Sequence, residues 1–198
     1  MVAEPVPGLP KRRLWTRQQY YRMAELGLFA PDERVELIEG EIVEMAPQGP
    51  EHASTADALR DRLAAAFGPG YCIRSHAPLA LGQASDPEPD VAVVLGSHRD
   101  YAHAHPTTAI LVVEVSQSTL VFDRGTKAAL YAAARIPEYW IVNVERSLLE
   151  VHRDPQADPS APLGASYASV MRLGRAATVT PLAAPRAVLR VDDLLPPA

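Results

Sequence analysis

The stretch "ILVVEVSQST", residues 110–119, sets Glu114 inside a run of branched apolar residues. That density of β-branched side chains, followed by Ser and Gln, predicts a strand over 111–116. Neighbouring side chains on a strand point to opposite faces, so Leu111, Val113 and Val115 share one face while Val112, Glu114 and Ser116 share the other. Apolar residues on both faces are the pattern of a central strand covered on each side. An ionised carboxylate there is disfavoured unless it is paired, neutral, or within reach of a cleft or cation. Some other part of the chain must compensate Glu114.

Two partners are available. In "PEPDVAVV" Asp90 stands at the first position of another apolar run, and Pro89 falls at the strand start, where its missing N–H costs little. Two carboxylates that meet repel one another, unless a hard divalent cation such as Mg2+ binds between them through oxygen. The second partner is Lys127. The segment "STLVFDRGTKAALYAAARIPEYW" predicts a helix from about Asp123 to Arg135, ended by Pro137. On it Lys127, Leu130, Tyr131 and Ala134 recur at i, i+3, i+4 and i+7, the face that packs on the sheet. The ammonium therefore points inward, to meet Glu114 directly or through a metal-bound water or a substrate phosphate. Glu114 and Lys127 alone are equally compatible with a buried ion pair that only tolerates its surroundings; Asp90 at a strand start turns the balance towards function.

The rest of the chain frames these residues. "TRQQYYRMAELGLFAPDE" predicts a first helix capped by Thr16 and stopped near Gly27 and Pro31. "RVELIEGEIVEMA" alternates, with Val35 and Leu37 on one face, Ile42 on the return and Glu39-Gly40 at the bend, which predicts a hairpin. A second helix follows, with Ala53, Ala56, Leu59, Leu63 and Phe67 at helical spacing and Gly68-Pro69-Gly70 as its stop. "YCIRSHAPLAL" and "DVAVVLG" read as strands before residues 110–119. "EYWIVNV" and "LLEVHRD" follow the third helix, with Tyr139 and Trp140 as core or edge aromatics and Trp140 open to a dimer surface. "DPQADPSAPLGAS" reads as a mobile loop, and short strands close the chain around Tyr167 to Met171, Thr178 and Val188 to Val191.

Composition bounds the function. At 198 residues and 47% hydrophobic content the chain suits one domain over 15–198 behind a loose arm at 1–14. The single Cys72 excludes an internal disulfide, and no run approaches the roughly 18 apolar residues of a membrane span, so a cytoplasmic protein is expected. A net charge of -5 argues against a generally basic, nucleic-acid-packaging surface, though a local patch such as Lys11, Arg12 and Arg13 could still touch phosphates. His98, His103 and His105 lack the partners of a zinc spacing and read as a solvated loop.

Taken in order, "RVELIEGEIVEMAP", "EH" at 51 and 52, "PEPDVAVV", "LVVEVSQST", "DRGTKAALYAAARIPEYWIVN" and "VDDLL" resemble the Uma2 family of endonucleases, within the PD-(D/E)XK, restriction-endonuclease-like superfamily. The resemblance covers most of residues 15–195. It implies an α/β fold with an αβββαβ core, a mixed central sheet flanked by helices, an N-terminal helix and hairpin, and extra C-terminal strands. It also implies hydrolysis of DNA phosphodiesters with Mg2+, or Mn2+ in its place. Asp90 matches the motif's first acid and Glu114 its second, and the carbonyl of Val115 joins them as a metal ligand. The motif's lysine, two residues beyond the second acid, is Ser116 here, and Lys127 on the following helix is the natural substitute. Glu36 and His52 lie in segments that match the family and would line the cleft. A solvated hairpin position for Glu36 and a capping or packing role for His52 stand beside those readings. The resemblance also implies a homodimer, because cutting both strands takes two sites. A catalytically inactive module that binds nucleic acid or a protein, or a hydrolase of smaller phosphate esters, are the other expectations left open by Ser116 and the acidic charge.

Overall fold

The computed structural model of the protein describes residues 12–197. Lys11 of the proposed basic patch and most of the predicted arm therefore lie outside the described residues, while Arg12 and Arg13 of the patch lie within them. Of the arm's described part, Arg12 pairs with Glu41; just beyond it the Trp15 N–H donates to the Gly40 carbonyl at 2.8 Å.

Helix α1 (Arg17–Glu25) begins where expected: Thr16 and Gln19 form a reciprocal capping box that satisfies two otherwise orphaned N–H groups. The hairpin of β1 (Val35–Ile38) and β2 (Glu41–Glu44) turns at Glu39 and Gly40, both at positive φ, the two-residue geometry that suits the twist of paired strands. Helix α2 (Pro50–Phe67) buries Thr55, Ala56, Leu59, Leu63 and Phe67. Ala53, expected on that stripe, is exposed, because the inward face begins one turn later.

A six-stranded sheet runs in the order β3 (Tyr71–Ser75), β4 (Val91–Leu95), β5 (Leu111–Ser116), β6 (Glu138–Asn143), β7 (Leu148–Ala157) and β8 (Ala165–Gly174). All neighbours are antiparallel except β5 and β6. The parallel pair requires a crossover, which helix α3 provides over residues 120–133. From α2 to β6 the order is αβββαβ in a mixed sheet, as the resemblance implied. Short strands β9 (Thr178–Val179) and β10 (Leu189–Arg190) pair apart from the sheet.

The two faces of β5 are used as its alternation predicts. Leu111, Val113 and Val115 join Leu59, Leu63 and Trp140 in a core under α2, while Val112 joins Leu130, Tyr131, Tyr139 and Ile141 in a core under α3. Three expectations are corrected. Trp140 is fully buried in the α2-side core, so it is no dimer surface. The loop expected over 154–166 shrinks to 158–164: β7 continues through Pro155 to Ala157, and Pro155 pairs with Tyr167 beyond Arg153, the last residue paired with β6, where a missing N–H is tolerated. Helix α3 starts at Leu120 rather than Asp123 and contains a wide π turn, Asp123–Lys127, between the α-helical pieces Leu120–Phe122 and Ala128–Ala133. No described helix is long and apolar enough to cross a membrane.

Candidate active site

The antiparallel register pairs Val91 with Val113, and one further step sets Asp90 opposite Glu114 at the end of β4. Their contact is direct: the Asp90 N–H lies 3.4 Å from Glu114 Oε2, and the Val115 N–H donates to Asp90 Oδ2 at 2.7 Å. Two acids thus share one corner of the sheet because β4 begins there and β5 passes through.

Lys127 closes the corner from α3. Its Nζ donates to Glu114 Oε1 at 2.9 Å and to Glu36 Oε1 at 3.3 Å, with the side chain buried. Glu36 arrives on β1, where alternation turns it inward between Val35 and Leu37; it is 2% exposed, so the solvated-hairpin reading is overturned. Tyr131, one turn beyond Lys127, donates to the same Glu114 oxygen at 2.7 Å. From the first turn of α2, His52 Nε2 lies 2.8 Å from Asp90 Oδ1, which also accepts from Gln48 Nε2 at 2.9 Å. His52 therefore neither caps its helix nor merely packs.

The electrostatics of the corner are uneven. Burial pushes the Glu114 carboxyl up to about 8, against the pull of the Lys127 ammonium and with help from the neighbouring carboxylates Asp90, Asp123 and Glu36. Asp90 is buried too, yet hydrogen bonds from His52 and the Val115 N–H, together with the Lys127 charge, hold its carboxyl below the usual range. Burial opposes the charge of Lys127, but Glu114, Glu36 and Asp123 around it hold the ammonium protonated. Glu36 keeps the Lys127 ammonium paired in either state of Glu114. Asp123, buried with its carboxyl raised, accepts from the Thr119 hydroxyl at 2.6 Å.

These groups open onto a cleft with about 60 Å³ of room for water, lined by Arg34, Glu36, His52, Glu88, Asp90, Glu114, Val115 and Lys127 among others. Among the described residues no three His, Cys, Asp or Glu side chains converge as a ready-made metal cage. Mg2+ asks for less, because it keeps waters and takes one or two carboxylates plus substrate oxygens. The donors fit such an ion: two adjacent carboxylates of opposed acidity, and Glu36 Oε2, buried within 3.3 Å of Lys127 but accepting no hydrogen bond. Ser116, at the position of the motif's lysine, is buried on the same face of β5.

Sequence reasoning missed Gln48, His76, Asp123 and Tyr131 as members of this cluster. The helical spacing puts Tyr131 on the inward face of α3 but does not tie it to Glu114. Gln48 and His76 sit in irregular segments, where no periodicity signals direction, and His76 Nδ1 lies 3.4 Å from Asp90 Oδ1.

An αβββαβ core with two acids at adjacent strand positions and a lysine above them defines a protein of the restriction-endonuclease-like fold. A crystal structure from Anabaena variabilis, described as "a putative nuclease belonging to DUF820", shares that fold with a TM-score of 0.62, covering 86% of this chain and 94% of that chain at 18% sequence identity. Residues 17–180 match the family Uma2, described as "Putative restriction endonuclease". The chain belongs to the Uma2 family. No curated protein matches it.

Proposed function

We propose that this protein is a Mg2+-dependent endonuclease that hydrolyses DNA phosphodiesters. The observation that carries the reading is Asp90 set opposite Glu114 on adjacent strands, beneath a buried lysine, in a cleft that opens to solvent. Asp90 and Glu114, with the Val115 carbonyl, would hold the ion. Mg2+ there supplies charge to polarise the phosphate and lowers the pKa of an attacking water. Lys127 sets its ammonium against the charge that grows on the phosphate, and its burial makes that charge count for more than it would in water. His52 and Gln48 fix the Asp90 carboxylate from the α2 side, so its orientation does not depend on the ion. Arg34 and Gln117 stand at the cleft rim, where they can meet flanking phosphates. Cutting both strands takes two such clefts, and a homodimer is the form we assign to the active protein.

A second reading has a specific observation in its favour. Every Asp90 oxygen already accepts a hydrogen bond from the chain, and Ser116 stands where the motif has its lysine. That is also what a non-catalytic module that binds nucleic acid or protein would retain. Plasmid nicking in Mg2+ separates the two. The nuclease reading predicts that the wild type nicks supercoiled DNA and that Asp90→Ala loses at least a hundredfold in rate; a wild type that leaves the plasmid intact in millimolar Mg2+ and Mn2+ favours the module.

A further inference from the structure

Lys127 is one of two lysines in the chain, the other being Lys11, whereas arginine supplies the remaining 17 of the 19 basic residues. It is fully buried, so its place over Glu114 depends on how α3 is rotated about its own axis. The sheet shows what fixes that rotation. Glu114 pairs with Ile141, and Ile141 pairs with Glu150, so the two glutamates occupy one row on the α3-facing side of the sheet, two strands apart. At the usual strand spacing that is about 9.5 Å.

Both glutamates are met from the same π turn. Lys127 reaches Glu114, and Arg124 makes a two-point contact with Glu150, Nε donating to Oε2 at 3.0 Å and Nη2 to Oε1. On a regular α-helix, side chains three apart stand about 5–6 Å from one another. A π turn is wider and accommodates an extra residue, so it spreads the two side chains towards two different strands. The Ala128 N–H closes that turn on the Asp123 carbonyl, which also accepts from the Tyr139 hydroxyl at 3.2 Å. Glu150 is fully buried, yet Arg124 and Asn143 hold its carboxyl below the usual range, so it presents a fixed charge. Arg124 lines no part of the cleft, and its partner lies two strands from Glu114.

We propose that Arg124 and Glu150 are positioning residues: their two-point pair across β7 sets the rotation of the π turn so that the Lys127 ammonium is delivered to Glu114 and Glu36. The role in catalysis rests on the nuclease reading above, while the delivery of Lys127 does not. Protein labelled with ¹³C at the lysine ε carbon gives two signals, and Lys11→Arg removes the one that is not Lys127. In Arg124→Met and Glu150→Gln the Lys127 signal is expected to move towards that of free lysine. The kcat for plasmid nicking falls at least tenfold with KM unchanged. Arg124→Gln, which keeps a hydrogen bond to Glu150 without the charge and adds no further lysine signal, falls between. Should Arg124→Met fail to fold, Arg124→Gln carries the test alone. A Lys127 signal that stays in place in a folded variant overturns the proposal, whatever happens to the melting temperature. A wild type that nicks nothing, with a Lys127 signal that does move, would sink the nuclease reading and leave the positioning intact.

Discussion

Glu114 is subject to two opposed demands. Burial favours its protonated form, while Lys127 and Tyr131 donate to it as they would to a carboxylate. Its pKa in the folded protein, about 8, lies above the ordinary 4.5, so the folded state binds the extra proton in between. The linkage sign is then fixed: Glu114 favours folding most at acidic pH and progressively less as pH rises through that window. Glu114→Gln keeps the shape without the charge, and Lys127 retains Glu36 as its partner. Chemical denaturation at pH 5 and pH 8 should show the variant gaining on the wild type as pH rises; a variant that is grossly unfolded at both would mean that the pair is needed for the fold itself. Glu114 was legible as anomalous because a carboxylate interrupts an apolar run. His52 and Glu36 were legible only as neighbours of family-like segments, since nothing in a helix's first turn or a four-residue strand says which carboxylate a side chain will meet.

At the scale of elements, the hairpin and the π turn show the two sides of legibility. Alternation and the Glu39-Gly40 bend announce the hairpin locally, and that hairpin delivers Glu36. A Cβ added at Gly40, which sits at φ +79°, would come within 2.7 Å of the Leu14 Cβ and 3.0 Å of the Trp15 carbonyl oxygen. Gly40→Ala should therefore cost about 1–3 kcal/mol in urea denaturation, from the strained backbone and the collision together; an unchanged midpoint would contradict that account. The π turn has no such announcement. Helical periodicity tolerates one inserted residue, and the forces that keep it, Arg124 on Glu150 and Tyr139 on the Asp123 carbonyl, come from strands later in the chain. The start of α3 and its π turn are not legible in the sequence for that reason, while the inward direction of Lys127 follows from its spacing to Leu130 and Tyr131. The extension of β7 through Pro155 was masked because Asp, Pro and Ala signal turns unless a partner strand overrides them.

At the scale of the whole molecule, one sheet separates an apolar core under α2 from a second under α3, and the row of Glu114 and Glu150 lies on the α3 side. His152 on β7 belongs to the second core. It is packed between Tyr139 and Tyr167, its Nε2 has no hydrogen-bond partner, and burial lowers its pKa to about 4. A histidine whose folded pKa is depressed gains protons first in the unfolded chain. Stability is therefore lost as pH falls from 6.5 towards 4, by at most about 3 kcal/mol. His152→Phe should flatten that acid limb in denaturation curves taken between pH 7 and pH 4; an identical slope would place the acid sensitivity elsewhere. The central claim concerns the other end of the sheet, where Asp90 and Glu114 meet. Calorimetric titration of Mn2+ and Mg2+ into the wild type, Asp90→Ala and Glu114→Gln tests it most directly. Saturable binding in the wild type that disappears in both variants is the predicted result. A wild type that takes up no ion, or variants that bind as the wild type does, would contradict the metal site at this corner.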